Sequence, residues 1–304
     1  MTIRPKHRGL VLTALFLSGV AGLMHEVVWA RLLASLIGST AISQAVVLGV
    51  FMGGLALGAV LFGRRSDRRG HPLGTYVALE IAIGVYCLAL PLLTRGAGFV
   101  YEQLVGAAFE SRGIQLSLRI ALATSVVLLP AMLMGGTLPV LARHLVDRAR
   151  ETRREVATLY SLNSLGAVLG AGIAGFYALP AFGIFGSLAF ASTLNGAAAF
   201  LAHRARVAPL PEPAAPPEPE PLPEPELQER YSPLQFRATL IALFLSGFAA
   251  MGFEVVLVRV IALSFGAATY SFTVMLMAFI AGIGIGSWIV SRLRVRRPLW
   301  LFGA

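Results

Sequence analysis

The sequence predicts an all-α integral membrane protein with about eight transmembrane helices. Of its 304 residues, 57% are hydrophobic and only 13% are charged, whereas an average soluble domain is roughly 25% charged. The mean hydropathy is +0.76. The apolar residues are gathered in runs of about 20, which is the length of a helix that crosses a hydrocarbon core of about 30 Å. No segment shows the alternation of apolar and polar residues that is typical of a membrane barrel.

Eight apolar runs are the predicted spans: 9–30, 41–63, 73–94, 118–141, 157–179, 182–203, 236–262 and 268–291. Clusters of Arg and Lys precede the first run and follow every even-numbered run, whereas the other loops carry at most one or two basic residues. Cytoplasmic loops are enriched in Lys and Arg, so both termini are predicted in the cytoplasm of a multi-pass plasma-membrane protein. These loops also account for the net charge of +10 without nucleic-acid binding.

An internal repeat is the strongest pattern in the chain. Residues 15–58 align with residues 243–286 without a gap, and 18 of the 44 aligned positions are identical. Because the repeat restarts at the seventh run, its unit has six helices. Residues 1–206 then form a complete membrane half, and 232–304 begin a second half that these residues do not finish. We expect a longer chain, a partner chain or a second copy to complete it.

The segment that joins the two halves, 207–231, contains nine prolines interleaved with glutamates. It has no core-forming residues, and the sequence predicts an extended cytoplasmic linker.

Three carboxyl groups lie in the apolar runs: Glu26, Glu80 and Glu254. A charge inside a membrane helix costs a few kcal/mol or more and usually faces a protein interior or a wet cavity. Glu26 and Glu254 are related by the repeat. If a pseudo-two-fold axis relates the halves, the two carboxyls face each other and can hold a cation or a proton. Glu80 has no companion of this kind.

The alternative for the repeat-related carboxyls is an ion pair with an arginine, and the candidate charge partners are Arg31 and Arg259. A spacing of five residues puts the two side chains about 140° apart on one helix, so such a pair would need another helix.

His25 adjoins Glu26 and is a candidate for a proton relay with it, although the repeat has Phe253 at the equivalent position. The histidines and the single cysteine, Cys87, show no metal-ligand spacing, so we expect no metal site. The sequence contains no nucleotide-binding or hydrolase motif, and we expect neither a cofactor nor a catalytic residue in this chain.

Glycines four residues apart, in the pairs 54/58, 166/170 and 282/286, predict close packing between helices.

The loop after the second run resembles the G-x-x-x-D-R-x-G loop of the major facilitator superfamily, through Gly63, Asp67, Arg68 and Gly70. The plan of a half, a linker and a second half resembles that superfamily too. The resemblance implies a facilitator-like fold.

Four further segments resemble the membrane domain of fused facilitator/spermidine synthase proteins. They are 18–31, 51–58, 129–141 and 159–170, with His25-Glu26-Val27-Val28-Trp29, Met134-Gly135-Gly136-Thr137-Leu138-Pro139 and Asn163-x-Leu165-Gly166 at their centres. In that family the membrane part precedes a cytoplasmic aminopropyltransferase domain, whose acidic catalytic residues have no counterpart in this chain. The resemblance implies a transport-like module in the lipid bilayer that handles polyamines or other small cations. The alternatives are the membrane anchor of such a transferase and a structural membrane subunit.

Overall fold

A computed structural model describes residues 5–68, 71–105, 111–146, 152–207, 232–266 and 268–292. Within these ranges the fold is all-helical, without strands. A single π-helical segment, Ile173–Ala178, joins the fifth and sixth helices. The helices are α1 (Pro5–Ile37), α2 (Thr40–Arg68), α3 (Pro72–Val105), α4 (Arg112–Val146), α5 (Thr152–Gly172), α6 (Leu179–Val207), α7 (Pro233–Phe265) and α8 (Ala268–Arg292).

The described residues form 7 continuous helices that are long and apolar enough to cross a membrane. One of them, Val156–Val207, runs through α5, the π-helical segment and α6 over 52 residues. It contains one non-helical residue, Gly183, whose φ of 64° and ψ of −168° interrupt the helix. The prediction of an all-helical protein with several membrane-spanning helices is therefore confirmed in this coarse form.

The internal repeat is visible in the backbone. α1 and α7 end at equivalent glycines, Gly38 with a φ of 80° and Gly266 with a φ of 69°. Each glycine donates its backbone N–H to the carbonyl oxygen four residues earlier, and both distances are 2.9 Å. Only glycine adopts this left-handed conformation without steric cost, so it closes both helices in the same way. The helix pairs α1/α2 and α7/α8 are thus two similar helical hairpins, in each of which a left-handed glycine ends the first helix.

α1 is the central helix of the described structure, in contact with α2, α4, α5 and α6. In its most apolar stretch, 72% of the residues are buried within the protein, against 11% in the most apolar stretch of α7. The two helices have related sequences, so the difference in burial comes from their neighbours. α7 lacks counterparts of α5 and α6 among the described residues.

Glycines bring the helices of the first half close together, as the sequence predicts. A Cβ atom on Gly58 of α2 would overlap the carbonyl oxygen of Met132 in α4, and one on Gly54 would overlap Ala131. Gly166 and Gly170 of α5 lie equally close to the backbone of α1. By contrast, the second-half pair, Gly282 and Gly286, has nothing from the described residues within 4 Å of such an atom. The packing interpretation holds for the first half only.

α8 connects the second hairpin to the first half. Gly175 in the π-helical segment packs against the side chain of Thr273, and the rings of Phe176 and Tyr270 stack with centroids 5.7 Å apart. Gly284 faces Ser164 of α5. This contact sets the position of α7 relative to α1.

Several predictions fall on residues that the structure does not describe. Residues 208–231 of the predicted linker, 293–304 and Gly70 of the loop motif lie outside the described ranges. Gly63 lies in α2, and Asp67 and Arg68 belong to its last turn.

We expect Gly58→Ala to destabilise the protein, because the added methyl group meets the backbone of α4. Overpacking of this kind typically costs about 1–3 kcal/mol. The matched control is Gly53→Ala on the same helix, where a Cβ atom meets nothing within 4 Å. There the substitution should leave stability unchanged or raise it, because alanine favours a helix over glycine. Thermal unfolding of the detergent-solubilised protein measures both, and equal midpoints for the two variants would contradict the packing.

Candidate functional site

The structure buries both carboxyl groups that the repeat relates, Glu26 of α1 and Glu254 of α7. The exposed fraction of the side chain is 0% for Glu26 and 1% for Glu254. They are near enough for the charge on Glu254 to act on Glu26. Both carboxyl oxygens of Glu26 and the Oε2 atom of Glu254 make no hydrogen bond to the described residues. A buried polar atom without a partner is costly, so each of these three atoms requires an explanation.

The predicted charge partners do not satisfy the Glu26 carboxyl. Arg31 is exposed at the surface of α1, and no described residue donates a hydrogen bond to either oxygen of Glu26. Arg259 is also exposed. It lines a small cavity between α2, α7 and α8, together with Gln44, Val258 and Phe272. An ion pair between Arg31 and Glu26 is thus not formed in the described structure, in agreement with the angular separation expected from their spacing.

A second polar group, formed by His25, Asn195 and Glu80, connects three helices inside the first half. The Nδ2 atom of Asn195 donates a hydrogen bond of 2.8 Å to Oε2 of Glu80. The Oδ1 atom of Asn195 lies 3.0 Å from Nε2 of His25. Because an amide oxygen only accepts, His25 carries its proton on Nε2 in this arrangement. We call these three residues of α1, α3 and α6 the polar chain.

The Glu80 end of the polar chain is reinforced by hydroxyl groups. Ser18 and Tyr76 both interact with the Glu80 carboxyl, but the Oε1 atom of Glu80 makes no hydrogen bond to the described residues. The Tyr76 hydroxyl also donates to the carbonyl oxygen of Ala14 at 3.1 Å. A neighbour on α6, Ser192, donates to the carbonyl oxygen of Gly84 at 3.0 Å. These bonds tie α3 to α1 and α6, and the Oε2 atom of Glu80 has its partner in Asn195.

The predicted relay between His25 and Glu26 does not form in the described structure. The two residues are consecutive, so their side chains leave α1 about 100° apart. The Nε2 atom of His25 bonds to Asn195, and the His25 ring stacks on Trp29 with a centroid distance of 6.0 Å. The Nδ1 atom of His25 and the Nε1 atom of Trp29 are buried without a hydrogen bond to described residues. His25 therefore belongs to the polar chain and not to the carboxyl pair.

Sequence reasoning missed Asn195, Ser18 and Tyr76. A signal for Asn195 was available, because an asparagine in the middle of an apolar run must find a hydrogen-bond partner inside the membrane. The sequence does not show which helix supplies that partner. No cluster of three or more His, Cys, Asp or Glu side chains occurs among the described residues.

Comparisons with protein-family models, with curated proteins and with solved structures gave no match. The fold and its apolar helices support one class, a polytopic α-helical membrane protein. Within that class, the carboxyl groups related by the repeat and the polar chain are the candidate site.

We expect Asn195→Ala to destabilise the protein more than Thr193→Ala, its matched control on the same helix. Removing the Asn195 amide leaves Glu80 and His25 buried without their shared partner, at about 1–3 kcal/mol for each group. Thr193 is exposed and bonds only within its own helix. Thermal unfolding in detergent measures the difference. A double-mutant cycle with Glu80→Ala should be non-additive, and strictly additive effects would show that the two side chains do not interact.

Proposed function

We propose that this chain is a transport-like membrane module in which Glu26 and Glu254 form a shared site for a small cation or a proton. The observation that carries the proposal is a buried carboxyl pair whose members are related by the repeat. Neither oxygen of Glu26 has a hydrogen-bond partner in the described part of the chain. Ionisable side chains inside membrane helices are costly, and they usually mark a pathway or binding site for an ion, a proton or a substrate.

The chemistry of the pair follows from its surroundings. Two negative charges in a water-poor site repel each other strongly, so the pair must hold at least one proton or bind a cation. A protonated amine can satisfy both carboxylates with charge-assisted hydrogen bonds. Polyamines are therefore candidate cations, in agreement with the resemblance to fused facilitator/spermidine synthase proteins.

The arrangement of the helices supports a facilitator-like plan. One carboxyl of the pair belongs to each hairpin of the repeat, and α8 docks on α5 and the π-helical segment. Transporters built from repeats place their sites near the midplane, where the repeats meet. A cation held by both carboxyls would favour one relative position of the two hairpins, and its release would favour another.

We infer eight membrane spans, one more than the 7 continuous helices, because the longest helix is interrupted. A straight helix from Val156 to Val207 would be roughly 78 Å long, more than twice the hydrocarbon thickness. The interruption at Gly183 divides it into two segments of spanning length. With the basic loops on one side, both termini are cytoplasmic, and Gly183 lies on the outer side.

Single cysteines in a Cys87→Ser background test this topology. We expect Val156→Cys and His203→Cys to react with a membrane-impermeant maleimide from the cytoplasmic side only, and Phe182→Cys from the outer side only. All three native side chains are exposed on the protein surface. Labelling of positions 156 and 203 from opposite sides would show a single span and refute the eight-span topology.

Uptake into proteoliposomes tests the carboxyl pair. The labelled probes are putrescine and spermidine, and an internal pH dye reports proton movement. We expect Glu26→Gln and Glu254→Gln each to reduce uptake at least about tenfold, because loss of one charge-assisted contact costs about 1.4 kcal/mol or more. The control is Glu155→Gln in the first turn of α5, which should transport like the wild type. Unchanged uptake in both pair variants, or no movement of protons or polyamine by the wild type, would falsify the proposal.

The anchor alternative rests on one observation, namely that the motifs carrying the family resemblance include packing residues. Gly54, Gly58, Gly166 and Gly170 all lie at close helix contacts. Close helix packing is needed in a membrane anchor as much as in a transporter, so these glycines do not distinguish the two. Aminopropyl transfer that persists in Glu26→Gln membranes, without polyamine uptake, would favour the anchor.

A further inference from the structure

A cavity of about 590 Å³ opens at the end of the bundle where α1 ends and α4 begins. It lies between α1, α3, α4 and α6. Its volume is in the range of small-molecule sites, which are concave and mostly apolar with a few polar groups. The apolar walls include Leu32, Leu36, Pro91 and Ile184. Under the proposed topology this is the outer face of the membrane.

Two arginines line this cavity, Arg95 of α3 and Arg119 of α4, and the acidic lining residue is Glu102. The cavity therefore has a net positive charge. Arginine is depleted in outer segments, so two arginines in one outer cavity are unexpected. On α3 the lining residues follow one helical face, at 91, 94, 95, 98, 101 and 102.

Arg119 is held in position by two contacts. Its Nη1 atom donates to the carbonyl oxygen of Ile37, at the end of α1, over 3.4 Å. Its guanidinium carbon lies 4.4 Å from the centre of the Tyr101 ring, a cation–π contact. Gly38 leaves room for this guanidinium, because a Cβ atom there would lie 2.9 Å from Nη1. A guanidinium has five N–H donors, so most of them remain available to a ligand.

The cavity is separate from the polar chain, although α1, α3 and α6 contribute to both. Along α3, Pro91 lies roughly 16 Å from Glu80. Fully buried apolar side chains occupy the intervening layer, among them Cys87, Leu90 and Leu188. A ligand in the cavity is thereby kept away from Glu80.

We propose that this cavity binds an anionic group, a phosphate attached to an aliphatic body, between Arg95 and Arg119. Planar guanidinium groups suit phosphate oxygens, which accept paired hydrogen bonds, and the apolar walls suit the aliphatic part. A lipid headgroup and a soluble phosphate ester share this chemistry. The site is independent of the carboxyl pair and takes the opposite charge.

The test uses the whole chain in neutral detergent. The probes are dioctanoyl phosphatidylglycerol as the lipid, glycerol 3-phosphate as the soluble ester, and dioctanoyl phosphatidylcholine as the zwitterionic control. Ligands that bind the folded state raise the unfolding temperature, and a titration gives the apparent Kd. We expect saturable binding of phosphatidylglycerol, weakened about tenfold or more by Arg95→Gln and by Arg119→Gln.

Glu102→Gln should tighten binding, because it removes the acidic charge from the lining. Arg112→Gln is the matched control, since Arg112 lies two turns before Arg119 on the same face of α4 and does not line the cavity.

Arg119→Gln also loses its contacts to Ile37 and Tyr101, so Arg95→Gln at an exposed position is the decisive variant. Arginine-dependent binding of glycerol 3-phosphate would identify a soluble ligand, and binding of the lipid alone would identify a headgroup. Equal affinity in wild type, Arg95→Gln and Arg112→Gln, equal binding of phosphatidylcholine, or no saturable binding would overturn the proposal.

Discussion

The close approach of α1 to its neighbours is the constraint on which the other features depend. Gly166 and Gly170 let α5 reach the backbone of α1, and α6 packs along α1 as well. Lipid tails are as apolar as the protein interior, so moving an apolar side chain from lipid to a helix interface contributes little free energy. Helix association in a membrane therefore relies on van der Waals contact and on hydrogen bonds. Small residues allow the van der Waals contact, and the side chains of His25 and Tyr76 provide hydrogen bonds. A central α1 then carries its polar side chains into a site without lipid.

The sequence predicts the helices well because a span needs only length and apolarity, both of which are read directly from the chain. The runs at 9–30 and 41–63 lie inside α1 and α2. The repeat also predicts the equivalence of Gly38 and Gly266, which the backbone confirms. Each of these features is local, so no knowledge of neighbouring helices is required.

The partners of each helix could not be predicted in the same way. Lipid tails and protein interiors are both apolar, so a membrane helix does not show by its hydrophobic pattern which face is covered. Asn195 illustrates this limit, because its position in an apolar run indicates a partner without naming Glu80. The uneven burial of α1 and α7 is a second example, since their sequences are related and their surroundings are not. The π-helical segment, with Gly175 against Thr273, arises from a contact with α8 that no local pattern encodes.

α1 carries two kinds of buried polar side chain, and the contrast between them separates structure from function. His25 lies in a chain of hydrogen bonds that runs through Asn195 to Oε2 of Glu80, and these bonds favour one arrangement of α1, α3 and α6. Glu26, its neighbour in sequence, receives no hydrogen bond from the described residues and is under the influence of a second carboxyl, Glu254. In the proposed function, a proton or cation offsets that cost and interacts with both hairpins at once. By linkage, the coupling free energy is reciprocal: the ligand shifts the equilibrium between hairpin positions by the same factor by which those positions differ in affinity for the ligand. The polar chain links three helices of the first half, and in the proposed function the carboxyl pair is where the second hairpin responds to the ligand.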